Sequence, residues 1–141
     1  MRFFRAACIT IVSHAAIGYA VAQTTPSYPA RSVQVIVPYA AGGNPDVLAR
    51  LLAQQLSERL GRSFYVENKP GAGGNIGAEK LAESAPDGYT IGILDSAQTS
   101  MNPVLYKKLR YGVTDFTPIA SLVTVPTVLV VNPSVPASSV T

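Results

Sequence analysis

Apolar residues change their spacing several times along the chain, and these changes predict alternating strands and helices. Val33–Pro38 is a nearly continuous β-branched run, which is typical of a strand covered on both faces in a parallel sheet. From Pro45 onward the spacing becomes helical, and Gly61 ends the predicted helix. Its apolar face is formed by leucines, Leu48, Leu51, Leu52, Leu56 and Leu60.

The alternation continues after this helix. Ser63–Glu67 predicts a second strand, and Tyr89–Leu94 predicts a third. Between them we expect a second helix of about ten residues that ends before Pro86. Its inward residues are Ile76, Leu81 and Ala82. A short helix or turn then follows through Leu105, Tyr106 and Leu109, and two more apolar strands are predicted at Ile119–Val123 and Thr127–Val131.

This order of elements predicts an α/β fold with a three-layer parallel sheet. Right-handed crossovers bring all the strand-to-helix loops to the carboxyl edge of the strands. The three loops are polar or glycine-rich and contain Gly42 and Gly43, Asn68–Gly77, and Asp95–Pro103. We therefore expect one rim of the sheet to carry a binding site.

The first loop has the features of an anion site. Asn44 is predicted to cap the helix and Pro45 to take its first position, while Gly42 and Gly43 allow the backbone to turn close to a ligand. The free N–H groups of the first helical turn, together with the helix dipole, then favour a bound anion.

Several side chains near the rim have two interpretations each. Asp46 either provides favourable charge in the first helical turn or contacts an amine or hydroxyl of a ligand, and we favour the first. Tyr39 either covers the edge of the core or lines the ligand site. Ser96, Thr99 and Ser100 are either turn residues or part of the binding rim. The basic residues Arg50, Arg59, Arg62, Lys69 and Lys80 are most simply solvated.

The amino terminus has the pattern of a secretory signal peptide. Arg2 and Arg5 precede a mostly apolar stretch, and small residues precede a predicted cleavage between Ala22 and Gln23. Removing residues 1–22 also removes Cys8 and His14, the only cysteine and histidine of the chain. This excludes a disulfide, a thiolate nucleophile and a Ser-His-Asp triad from the remainder.

Two nucleotide-binding interpretations are also disfavoured. The glycines at 71, 73, 74 and 77 do not match G-x-G-x-x-G, because Ile76 occupies the required last position. No Walker A lysine follows any of the glycine loops. Without residues 1–22 the chain has nine basic and eight acidic residues, a net charge of +1, so nucleic acid is not an expected partner.

Five ordered sequence blocks resemble the receptors of tripartite tricarboxylate transporters, the Bug-type extracytoplasmic solute-binding proteins. The blocks are VPYAAGGNPDVLAR at 37–50, VENKPGAGGNIGAE at 66–79, APDGYT at 85–90, NPVLY at 102–106 and DFTPIA at 115–120.

The resemblance implies one lobe of a type II periplasmic binding protein, the Venus-flytrap architecture. After the signal peptide at 1–22, it implies the first lobe at 23–124 and, at 125–141, a crossover that stops before most of the second lobe. Relatives of this kind capture a small organic acid (a di- or tricarboxylate or an amino acid) and pass it to membrane permease subunits. We accordingly expect a periplasmic protein that is monomeric at full length, without catalysis, cofactor, metal or nucleic acid.

The resemblance also implies that a ligand carboxylate is held mainly by backbone N–H groups and water at these loops. Carried onto this chain, the expected ligand-binding residues are Tyr39, Ala40, Ala41, Gly42, Gly43, Asn44, Asp46, Gly73, Gly74, Asn75, Ser96, Ala97 and Thr99. Asp95 precedes Ser96 where the family often has glycine, and an acid there would repel a second carboxylate or favour an amine or hydroxyl. In addition, Gly43→Val is expected to abolish binding, whereas Arg50→Ala should matter little.

Two alternatives remain open from the sequence. One is an exported α/β enzyme whose catalytic half lies outside this chain. The other is a nonfunctional truncated fragment, in which the apolar strand Thr127–Val131 would be an exposed edge prone to pairing.

Overall fold

A computed structural model describes residues 27–126, 128–136 and 139. The predicted signal peptide at 1–22 and its cleavage between Ala22 and Gln23 lie outside the described residues. Within the described residues, no helix combines the length and the apolar character needed to cross a membrane.

A three-stranded parallel sheet with helices packed against it forms the fold. In chain order the main elements are β1 (Val33–Val37), α1 (Asn44–Leu60), β2 (Phe64–Asn68), α2 (Asn75–Ala82), β3 (Thr90–Gly92) and α3 (Asn102–Leu105). The strand order is β2-β1-β3, and β1 pairs in parallel with both neighbours. The predicted parallel α/β sheet is confirmed.

β1 is the central strand, and both of its faces are buried. Val33, Val35 and Val37 are fully buried in a cluster with Ala49 and Ala53 of α1. Side chains alternate along a strand, so Ile36 points to the opposite face, where it too is fully buried. The continuous apolar run of this strand therefore reflects a helix layer on each side.

The inward faces of both helices differ from the prediction. Leu51 is 58% exposed and Ile76 is 50% exposed, whereas Ala49, Ala53 and Ala78 are buried. Small side chains let a helix approach the sheet closely, as at Gly77, where an added Cβ would lie 2.8 Å from the Pro38 Cα. The predicted inward positions of Leu51 and Ile76 are wrong because alanine and glycine form these contacts.

The two strands predicted at Ile119–Val123 and Thr127–Val131 are also wrong for the part of them that is described. Residues 119–126 and 128–131 contain no strand, and Ile119 and Val130 are about four-fifths exposed, at 83% and 79%. A strand needs a neighbour to pair its backbone N–H and C=O groups. No other described segment pairs with these residues.

Candidate functional site

The three strand-to-helix loops meet at one edge of the sheet, because all three strands run in the same direction. Val37 lies opposite Asn68 at the end of β2, and Ile36 lies opposite Gly92 at the end of β3. We call this edge the rim and its three loops the first (residues 38–43), second (69–74) and third (93–96) loops.

The first loop leads directly into the 17 residues of α1. The prediction that Asn44 caps this helix is wrong, because the helix already begins at Asn44 and Gly43 takes the cap position without a side-chain hydrogen bond. Among the described residues, none accepts a hydrogen bond from the backbone N–H of Asn44 or Asp46. These N–H groups at the positive end of the α1 dipole are available to an anion.

Asp46 is buried beneath the first loop and is surrounded by nitrogen atoms. Oδ2 accepts hydrogen bonds from the Gly42 N–H at 2.8 Å and from Arg50 Nε at 3.0 Å. Oδ1 accepts one from Asn68 Nδ2 at 2.9 Å and lies 3.0 Å from Arg50 Nη2. Groups of its own chain therefore occupy the oxygen atoms of Asp46. This favours the structural interpretation of Asp46 over a direct contact with a ligand amine or hydroxyl.

The surroundings of Asp46 stabilise its charged form. Hydrogen bonds from Arg50, then from the Gly42 N–H and Asn68, lower its pKa from 3.8 to about 2. The same contact raises the pKa of the Arg50 guanidinium. Arg50 is therefore not merely solvated, as the sequence suggested, but neutralises the acid in the first turn of α1.

The second loop has an unusual backbone. Gly71, Ala72, Gly73 and Gly74 all have positive φ angles, at +123°, +50°, +66° and +87°. The left-handed region is unfavourable for alanine, so Ala72 is strained. This conformation leaves the N–H groups of Ala72 and Gly73 without an acceptor among the described residues.

Gln98 connects all three loops and is completely buried. Its Nε2 donates to the Tyr39 hydroxyl at 3.1 Å and to the Gly73 carbonyl at 3.2 Å, while its Oε1 accepts the Asp95 N–H at 3.0 Å. Gly74 leaves room for this side chain, since a Cβ there would lie 2.1 Å from Gln98 Nε2.

A second buried amide supports the same region. Asn102 Nδ2 donates to the Gly73 carbonyl at 2.9 Å and to Asn75 Oδ1 at 2.6 Å. The Tyr111 hydroxyl also donates to Asn75 Oδ1, at 2.8 Å. The side-chain oxygen of Asn75 is consequently occupied by the protein itself.

In the third loop, Asp95 contacts both its own loop and the first one. Oδ2 accepts a hydrogen bond from the Tyr39 hydroxyl at 2.6 Å, and Oδ1 accepts the Ala97 N–H at 2.8 Å. Burial, then the hydrogen bond to Asp95, raises the pKa of Tyr39, so its hydroxyl remains a donor. Tyr39 thus joins the first and third loops.

The predicted site residues fall into three groups by their surroundings. Exposed at the rim are Ala40, Ala41, Gly42, Gly43, Asn44, Gly73 and Ser96. Partly buried are Tyr39, Ala97 and Thr99, and buried are Asp46, Gly74 and Asn75. The Thr99 hydroxyl donates to the Asp95 carbonyl at 2.9 Å.

Sequence reasoning missed the residues that hold these loops together, namely Asn68, Gln98, Asn102 and Tyr111. Asn68 lies within the block at 66–79 and Asn102 begins the block at 102–106. Their place in blocks that resemble the receptor family was the one signal that could have identified them. Gln98 looked like one more polar residue of the third connection. No spacing in the sequence places it next to Tyr39.

A groove of about 370 Å³ lies between α2 and residues 106–111. Its walls include Ile76, Tyr106 and Leu109, and none of the predicted residues of the first or third loop lines it. Among the described residues, no group of three or more histidine, cysteine or acidic side chains is placed to hold a metal ion.

The chain is similar to proteins of known structure. MatC of Rhodopseudomonas palustris, solved with bound malate, superposes with a TM-score of 0.64 at 40% identity, over 67% of this chain and 33% of that one. The R. palustris protein Rpa4515, solved with adipate, gives a TM-score of 0.59 at 39% identity, over 62% of this chain and 29% of that one.

Sequence comparison leads to the same group. BugT of Bordetella pertussis is 40% identical over 131 residues, which are 89% of this chain and 39% of BugT. The chain spans between a third and two fifths of the length of the curated Bordetella pertussis relatives it matches. The profile of the tripartite tricarboxylate transporter family receptors matches residues 48–141. The sequence resemblance is thereby confirmed, and the chain belongs to the tripartite tricarboxylate transporter receptor family.

Proposed function

We propose that this protein is a periplasmic receptor that captures a small organic carboxylate and delivers it to the permease subunits of a tripartite tricarboxylate-type transporter. It performs no catalysis and needs no cofactor. The signal peptide at 1–22 directs its export and is removed between Ala22 and Gln23. Residues 23–124 form the first lobe of the receptor, and 125–141 cross toward a second.

The observation that carries this proposal is the charge balance at the first loop. An acid at the start of α1 would repel an anion, but Asp46 is buried and paired with Arg50. The N–H groups of Asn44 and Asp46, which have no acceptor among the described residues, then present the positive end of the helix dipole to the rim without opposition from the charge of Asp46. A carboxylate fits this arrangement.

The relatives support the same class of ligand. MatC was solved with malate and Rpa4515 with adipate, and both are small organic acids. Because this chain spans about a third of each of those structures, we propose that it supplies one side of the ligand site. The other side would come from the second lobe.

Gly43 offers a direct test. Its φ and ψ angles of −77° and 167° are accessible to any residue, and a Cβ there meets only ordinary contacts, the nearest at 3.6 Å. Gly43→Val should therefore keep the fold, with a somewhat weaker cap on α1, and obstruct the N–H groups of the first loop. We expect it to abolish carboxylate binding by the full-length protein.

The measurement is a thermal-shift screen with mono-, di- and tricarboxylates, amino acids and neutral sugars. A ligand at a hundredfold excess over its Kd stabilises the folded protein by about 2.7 kcal/mol. Gly112→Val is the matched control, because Gly112 also has a negative φ, −118°, and only ordinary contacts. Stabilisation by sugars but by no organic acid would contradict the proposal, and so would undiminished binding by Gly43→Val.

A further inference from the structure

The two carboxylates of the rim differ in how many hydrogen-bonding positions they have left. A carboxylate can accept about four hydrogen bonds. Four nitrogen atoms lie within 3.0 Å of the Asp46 oxygens. The Asp95 carboxylate accepts two hydrogen bonds from the described residues, one from the Tyr39 hydroxyl and one from the Ala97 N–H, and Asp95 is exposed. About two acceptor positions on Asp95 therefore remain open to solvent or a ligand.

The two carboxylates also differ in charge compensation. Asp46 is paired with Arg50, but no lysine or arginine in the described part of the chain forms an ion pair with Asp95. Lys69, at the end of β2, is paired with Glu67 at 2.5 Å instead. Asp95 is thus the uncompensated negative group among those that contact the first loop.

Tyr39 and Gln98 hold Asp95 close to the first loop. The Tyr39 hydroxyl is 2.6 Å from Asp95 Oδ2, and Tyr39 directly precedes the residues that form the glycine turn. Buried Gln98 fixes both partners, since it donates to the Tyr39 hydroxyl and accepts the Asp95 N–H. A ligand whose carboxylate contacts the first loop would therefore have another part of its structure near Asp95.

We infer that Asp95 is a specificity-determining residue that selects organic acids carrying an ammonium group over acids that lack one. This inference rests on the proposed function, because it assumes that a carboxylate occupies the first loop. The ammonium group would fill the open acceptor positions of Asp95 and neutralise its charge. A second carboxylate at the same place would be repelled. The expected ligand class is consequently amino acids.

The test uses the full-length protein and pairs of acids that differ only in the amine: succinate with aspartate, glutarate with glutamate, and propionate with alanine. Isothermal titration calorimetry measures Kd for each. We expect the amino acid of at least one pair to bind about tenfold more tightly than its partner. Asp95→Asn, which keeps an oxygen for the Ala97 N–H, should reduce this ratio about tenfold, and Asp95→Glu should largely preserve it.

Asp87→Asn is the matched control. Asp87 is also an exposed acid, but it precedes β3, lies at the opposite edge of the sheet from Asp95, and is paired with Arg31 at 2.8 Å. Its substitution should leave the ratio unchanged.

The outcomes separate the two proposals. Carboxylates that bind without preference for the amine, or a preference that survives Asp95→Asn, would overturn the role of Asp95 and leave the receptor function intact. If no organic acid binds, the proposed function fails, and the role of Asp95 fails with it.

Discussion

Asp46 and Asp95 each lie at the rim of the same parallel sheet, yet the protein uses them in opposite ways. Asp46 is buried, contacted by four nitrogen atoms and neutralised by Arg50. Asp95 is exposed, its carboxylate accepts two hydrogen bonds, and it has no ion-pair partner in the described part of the chain. In the proposals above, the first acid shapes the loop that binds an anion, whereas the second keeps a charge that can pair with a ligand.

Substituting Gly74 should displace Gln98, which holds Asp95 in place, and we expect this substitution to have the largest effect on stability. In Gly74→Ala the new Cβ would lie 2.1 Å from Gln98 Nε2, at a φ of +87°. Left-handed strain costs about 1–2 kcal/mol, and overpacking costs about 1–3 kcal/mol more. We expect the free energy of unfolding, measured by urea denaturation, to fall by about 3 kcal/mol.

Gly61→Ala is the control for Gly74→Ala. Gly61 also has a left-handed backbone, with φ at +67°, but nothing lies within 4 Å of its Cβ position. Only the backbone strain of about 1 kcal/mol should therefore appear. Equal losses in the two variants would show that Gln98 does not depend on the space at Gly74.

Comparing Asp46→Asn with Asp95→Asn tests whether the buried, paired acid contributes more to stability than the exposed one. The folded-state pKa of Asp46, about 2, lies below the ordinary value of 3.8. Its carboxylate therefore contributes stability above pH 3.8, and this contribution is lost as the pH falls toward about 2. Asp46→Asn should lower the melting temperature at neutral pH by less than Gly74→Ala does, and its deficit should shrink across that acidic range.

Asp95→Asn should lower the melting temperature at neutral pH by less than Asp46→Asn does, because Asp95 is exposed and carries no ion pair in the described part of the chain. Melting curves followed by circular dichroism between pH 7 and pH 2 provide the comparison. A pH-independent deficit in Asp46→Asn, or an equal deficit in Asp95→Asn, would contradict the distinction between the two acids.

A small effect of the opposite sign is expected at Ala72, in the second loop. Its φ of +50° is unfavourable for alanine, and glycine would relieve that strain at the expense of a more flexible unfolded chain. Ala72→Gly should raise the free energy of unfolding by about 0.5 kcal/mol. Ala78→Gly, within α2, should lower it by at least about 1 kcal/mol, and a loss in both variants would argue against strain at Ala72.

Much of the fold could be predicted from the sequence because local spacing encodes it. The β-branched run at β1 and the glycine that ends α1 are local signals, and parallel pairing then places the loops at one edge. The strand predicted at Ile119–Val123 failed because strand formation depends on a partner as well as on apolar residues. Its residues are exposed, and no described segment pairs with them.

The candidate site was less predictable, because its key contacts join distant residues. Asp46 was recognised as an acid near the first loop, but its charge is stabilised by a hydrogen bond from Asn68, 22 positions away, as well as by Arg50. Tyr39 and Asp95 are 56 positions apart. No spacing rule connects them, and Gln98, which holds both, has no local feature that distinguishes it from a turn residue.

The central position of β1 has a consequence for the timing of folding. Val33 pairs with Phe64 and Gln34 pairs with Thr90. The first strand to be synthesised therefore cannot pair until residues 31 and 56 positions later have been added to the chain. Such distant contacts slow the formation of a sheet, because a long segment of chain must close before they form. This delay suits a chain that crosses a membrane before it folds, which is one route to the proposed periplasmic location.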